Sequence, residues 1–141
     1  MNPTRYIVIT VPPPPVAEAI QALRQPLCER YGAGWALQYP PHVTLRTGLI
    51  VPEGRTQEVV EGIAAIAARH TAFTIQTAAA TCSRMAYEGE ENFFLYLPVN
   101  KDAPLATLNR DLLSYRQFRK SDKTAFEPHL TLLWGDLPEP D

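Results

Sequence analysis

Three features of the sequence predict an α+β fold in which strands and helices alternate. Residues 6–11, Tyr-Ile-Val-Ile-Thr-Val, form a β-branched, nearly continuous apolar run with the composition of a strand covered on both faces. Three later stretches repeat apolar residues at helical spacing. Finally, Pro41-His42-Val43-Thr44-Leu45 and Pro128-His129-Leu130-Thr131-Leu132 repeat one alternating pattern near the end of the first third and close to the C-terminus. At 141 residues, 45% hydrophobic and 20% charged, the chain fits one soluble domain over residues 1–141 with a single core.

The elements follow in order. After the first strand, Pro12 to Pro15 form a stiff connector whose last proline suits the first turn of a helix. Residues 16–31 carry Val16, Ile20, Leu23 and Leu27 at helical spacing, with Gly32 as the C-terminal cap. Pro26 lies inside that pattern and predicts a kink or a separate last turn. The first motif strand runs from His42 to about Ile50, and Pro52-Glu53-Gly54 breaks it. Residues 56–69 read as a second helix with Val59, Ile63 and Ile66 on one stripe, and His70 at its end complements the helix dipole.

Residues 73–77 alternate cleanly and predict a strand that residues 78–84 prolong toward a turn at 88–92. Residues 93–99 then return as its hairpin partner. Asp102-Ala103-Pro104 has helix-start chemistry, and Leu105, Leu108, Leu112 and Tyr115 follow on one face. A basic cluster, Arg116, Arg119, Lys120 and Lys123 with Asp122 among them, leads to the second motif strand at 129–134. That cluster is either a solvated loop or a local positive spot for a phosphate.

In each motif the residues two apart share a face. His42 and Thr44 therefore point one way and Val43 and Leu45 the other, and His129 and Thr131 stand apart from Leu130 and Leu132 in the same manner. Each strand has a dry back and a chemically equipped front. An imidazole titrates near pH ~6.5, so one can accept a proton while another donates at neutral pH, and a threonine hydroxyl can donate to a phosphate oxygen. Arg46 falls on the His42 and Thr44 face by alternation, either to hold a phosphate oxygen or ribose, or to reach water at an edge. Tyr39, Tyr87 and Phe126, near motifs or loops, are candidates for stacking a base or for rim packing.

The charge balance narrows the partners. A net charge of −2 and a pI near 5.9 exclude a protein that coats long nucleic acid, and leave a small nucleotide or an RNA end. No apolar run reaches the roughly 18 residues needed to span a bilayer, so no membrane partner and a cytoplasmic location are expected. Cys28 and Cys82 are isolated and read as free thiols. His42 and His129 offer two nitrogen ligands where a catalytic zinc takes three protein ligands, so neither metal nor other cofactor is expected.

The double His-x-Thr-x pattern, apolar at both x positions and preceded each time by proline, resembles the 2H phosphoesterase superfamily, which includes the 2'-5' RNA ligase-like proteins and cyclic nucleotide phosphodiesterases. The motifs are 87 positions apart (129 − 42). The resemblance implies a bilobal, pseudo-twofold α+β fold, with two small, mostly antiparallel sheets flanking a central groove and helices outside. It implies a metal-independent phosphodiesterase in which His42 and His129 are catalytic and Thr44 and Thr131 bind the substrate, with hydrolysis of 2',3'-cyclic phosphates to 2'-phosphates expected, and a monomer is expected besides. A binding module without turnover and RNA end joining are the alternatives. Longer members continue past the second motif with a further helix and strand, whereas only residues 135–141 remain here, so the C-terminal lobe is expected to be trimmed.

Overall fold

A computed structural model of the chain describes residues 4–32, 34–87, 90–115 and 126–134. The expected α+β class is what it contains: strands β1 (Thr4–Thr10), β2 (Val43–Val51), β3 (Thr81–Tyr87), β4 (Glu90–Pro98) and β5 (His129–Trp134), with helices α1 (Pro14–Tyr31), α2 (Thr56–Ala67) and α3 (Ala103–Leu113). Hydrogen bonding links the strands in the order β1-β2-β5-β4-β3. The five strands form an antiparallel order compatible with the expected fold, and β2 meets β5 at the register pair Val43↔Leu130. The basic cluster at 116–123 and the tail at 135–141 lie outside the described residues.

Two compact units divide the contacts. The first comprises residues 1–9, 44–76 and 100–128, and the second residues 10–43, 77–99 and 129–141. Each unit therefore combines segments from both halves of the chain.

In the first unit, β1 neighbours β2, and the buried apolar residues are Leu45, Leu49 and Val51 of β2, Val59 and Ile66 of α2, and Leu105 and Leu112 of α3. Gly62 lets the two helices approach, because a Cβ built there would lie 2.6 Å from the Tyr115 hydroxyl. Asn109, only 6% exposed, sits on the buried stripe of α3 and donates through Nδ2 to the Leu45 carbonyl at 2.6 Å. His70 lies beyond the last turn of α2 with its Nε2 2.8 Å from Asp111 Oδ2 of α3, so a carboxylate, rather than a helix terminus, faces its imidazole.

In the second unit, β3 and β4 form the expected hairpin, paired from Thr81↔Tyr96 to Tyr87↔Glu90. Cys28 of α1 and Leu133 of β5 form one buried cluster, with Leu27, Leu37 and Leu95 against them. Proline opens α1 and Gly32, at φ 67°, closes it, as expected. Two readings of this helix are corrected. Pro26 does not divide it: α1 runs unbroken through an exposed Pro26, whose missing N–H leaves the carbonyl of Ala22, also exposed, open to water. The buried line also differs from the apolar spacing, because Val16 and Leu23 are exposed while Arg24 and Cys28 are the buried residues.

The strand expected at 73–77 is absent. Phe73 and Ile75 are half-buried and Thr74 and Gln76 exposed, so the alternation is real, but a bridge forms only at Thr77↔Val99 and the ladder begins at Thr81. Alternation reports a covered face; it does not supply a neighbouring strand.

Candidate active site

Both motifs are strand openings, as the residue before proline and the proline itself favour extended backbone. Val43, Leu45, Leu130 and Leu132 are buried, and His42, Thr44, His129 and Thr131 are half-buried, matching the dry back and equipped front. Antiparallel pairing at Val43↔Leu130, carried one residue outward, sets His42 level with Thr131. Directly opposed residues share a face with Cβ atoms roughly 5 Å apart, and diagonal neighbours are about 7–8 Å apart. His42 is thus directly beside Thr131 and diagonal to His129, all within the second unit.

His42 has a defined orientation. Its Nδ1 lies 2.8 Å from the Pro40 carbonyl. A carbonyl only accepts, so Nδ1 carries the hydrogen in this contact, and the neutral ring keeps its lone pair on Nε2.

His129 stands against aromatic rings that sequence reading did not assign. The rings of Phe94 and Tyr96 stack at 4.5 Å between centroids and 18° between planes. His129 meets Tyr96 edge-on at 5.5 Å and Phe94 at 5.7 Å. Tyr96 is itself fixed by a 3.1 Å hydrogen bond between its hydroxyl and Ser83 Oγ. The register explains the cluster, since Tyr96 pairs with Thr131, Pro98 with His129, and Ser83 with Phe94. Alternation in β4 gave Phe94 and Tyr96 a common face; which strand they would meet was not contained in it. Of the aromatics singled out from sequence, Tyr39 is half exposed, Phe126 is half-buried, and the Tyr87 side chain lies outside the described residues.

Alternation breaks directly after each motif. In β5 the register with β4 shifts between Leu95 and Tyr96, two residues on β5 answer one, and both Leu132 and Leu133 are buried. In β2 both Leu45 and Arg46 are buried, two residues before Gly48, whose φ of 77° takes the strand into the left-handed region. Arg46 is therefore no edge residue reaching water. It belongs to the first unit with Thr44, is 8% exposed, and its Nε and Nη2 have no hydrogen-bond partner among the described residues.

Beneath the site lies Arg24, 1% exposed. Its Nε donates to the Thr131 carbonyl at 3.1 Å and Nη2 donates to the same oxygen, while Nη1 reaches the carbonyls of Ala36 at 3.3 Å and Tyr39 at 3.1 Å. Burial lowers its pKa, with Cys28 one turn on pulling it back, and burial raises that of the Cys28 thiol against the pull of Arg24. Arginine is seldom placed in a core from sequence, yet its position between Ile20 and Cys28, four residues from each, was the available signal. No group of three or more His, Cys, Asp or Glu gathers among the described residues, and no described helix is long and apolar enough to cross a membrane.

A fold of this class, with a His-x-Thr strand delivered by each half, is also what comparison with known proteins finds. The family model of the 2'-5' RNA ligase superfamily matches residues 12–140, and the chain belongs to that superfamily. Proteins of Bacillus cereus strain B4264, Bacillus thuringiensis strain Al Hakam and Bacillus anthracis strain A0248 are similar to it, each 29% identical over 119 residues, which is 84% of this chain. All three carry the name "Putative phosphoesterase". The chain spans 65% of the length of these relatives.

Proposed function

We propose that this chain is a metal-independent phosphodiesterase that opens the 2',3'-cyclic phosphates of nucleotides or RNA ends to 2'-phosphates. The observation that carries the reading is the level pairing of His42 with Thr131 and its diagonal relation to His129, with His42 Nδ1 tied to the Pro40 carbonyl. His42 then takes a proton from water through Nε2 as the water attacks phosphorus. The bond from phosphorus to the 3' oxygen breaks, and His129 gives that oxygen a proton. The Thr44 and Thr131 hydroxyls donate to the non-bridging oxygens, whose charge grows in the transition state. The Nε and Nη2 of Arg46, without a hydrogen-bond partner among the described residues, favour a phosphate oxygen as their acceptor over the solvent contact. Membership of a superfamily whose similar proteins are named phosphoesterases supports phosphoester chemistry.

The test is incubation of the purified protein with a nucleoside 2',3'-cyclic phosphate in excess EDTA, with the product identified by phosphorus NMR. Turnover to a 2'-phosphate is expected. Loss of activity on chelation that a divalent metal restores overturns the metal-free mechanism. Binding without turnover gives the binding-module reading, and joining of RNA ends in preference to hydrolysis gives the ligase one.

A further inference from the structure

The sequence of contacts under the motifs singles out Arg24. It is a buried cation whose hydrogen bonds among the described residues all end on neutral oxygens: Gln21 Oε1 and the carbonyls of Thr131, Ala36 and Tyr39. A guanidinium this deep is ordinarily matched by a carboxylate, since an unpaired buried charge costs several kcal/mol in real proteins. Cys28 supplies no such match, because burial favours its neutral thiol. What the planar fork does instead is hold two pieces of backbone together. One is β5 at Thr131, the other the arm that runs from Ala36 through Tyr39 to Pro40, Pro41 and His42. The Tyr39 carbonyl held by Arg24 is one residue before the Pro40 carbonyl that holds His42 Nδ1.

We propose that Arg24 is the positioning residue of the site: by clasping the Thr131 and Tyr39 carbonyls at once it fixes the height of the Pro40 carbonyl relative to β5, and so the orientation and tautomer of His42. It touches no substrate. The inference rests on His42 acting as the base, yet its first consequence, the tautomer, is open to measurement in protein that shows no turnover at all. Lysine at this position keeps the charge but gathers its three rotatable donors on one compact ammonium at the end of a flexible stem, without the rigid fork that spans the two pieces of backbone in fixed directions. Loss of the clasp frees the arm by an amount of order 1 Å, a displacement that can cost up to about 100-fold in rate.

The experiment compares wild type with Arg24→Lys and Arg30→Lys, the last an exposed position on the same helix, at a temperature where circular dichroism shows all three folded. Long-range proton–nitrogen NMR of the imidazoles reads the tautomer directly. Wild type and Arg30→Lys are expected to show His42 as the Nδ1–H form, and Arg24→Lys a mixture of both forms with kcat lowered roughly 10- to 100-fold and KM little changed. An Arg24→Lys protein with the wild-type tautomer and wild-type kcat overturns the proposal. If Arg24→Lys does not fold, Arg24→Gln, which removes the buried charge and cannot reach both pieces of backbone, is measured in its place; a wild-type tautomer and kcat in that variant overturn the proposal equally. A mixed tautomer in a protein without hydrolytic activity keeps the positioning role and removes only the hydrolase reading.

Discussion

His42 and Pro40 are joined side chain to backbone, Nδ1 to carbonyl oxygen at 2.8 Å, which leaves Nε2 as the basic nitrogen of the neutral ring. The two histidines therefore differ in environment although their motifs match. One is tied to a proline carbonyl, the other leans on Tyr96 and Phe94.

From that difference follows the first prediction. His42→Ala and His129→Ala are each expected to lower kcat by roughly 100-fold or more with little change in nucleotide affinity, the usual scale of general acid–base catalysis. The wild-type pH profile of kcat/KM is expected to be a bell, and each variant to lose one limb. Full activity in both variants would make the motifs structural.

Thr44→Ala and Thr131→Ala are expected to act mainly on kcat as well, since in the proposed mechanism each hydroxyl donates to charge that develops only in the transition state. Thr→Ser restores the donor, and steady-state kinetics should find most of the rate regained. Equal losses for Ala and Ser would point to the threonine methyl and its packing.

Gly62→Ala tests the contact between α2 and the Tyr115 ring. Alanine gains helix propensity of about 1 kcal/mol over glycine, but its Cβ would lie 2.6 Å from the Tyr115 hydroxyl. Overpacking costs typically about 1–3 kcal/mol, so urea denaturation should show a net loss of stability. A variant more stable than wild type would mean that Tyr115 moves aside freely.

Cys28 gives a stability that depends on pH. Burial raises its folded-state pKa, so the thiol's contribution is fully present below the unfolded value of about 8.5 and is lost as pH rises through the folded one. Denaturant midpoints should fall above pH ~9, and Cys28→Ala should flatten that fall by up to ~1.4 kcal/mol per pH unit. Identical slopes in the two proteins would contradict the assignment.

How far the sequence carries can be seen in α1 and α3. Their existence, their proline starts and the Gly32 cap follow from local rules that need no partner. Their most consequential residues, Arg24 and Asn109, do not, because a polar residue on an apolar stripe reads as an exception until its acceptor is known. Those acceptors are carbonyls 107 and 64 residues away. The motif histidines were legible because the strand period alone sets their face, whereas alternation left open whether Arg46 reaches water and only its burial removed that option, and the Phe94 and Tyr96 rings waited on the register between β4 and β5.

The same two long-range hydrogen bonds run in opposite directions along the chain. Arg24, early in the sequence, needs the second motif strand, and Asn109, late in it, needs the first. During synthesis α1 therefore leaves the ribosome with a cation that lacks its β5 acceptor until residue 131 has followed, and β2 waits for α3. Closing loops of such length is slow and precedes the contacts that reward it. Completion of the Arg24 contacts is consequently a late event, and a nascent chain released before the second motif carries α3 for β2 but lacks the β5 acceptor of Arg24.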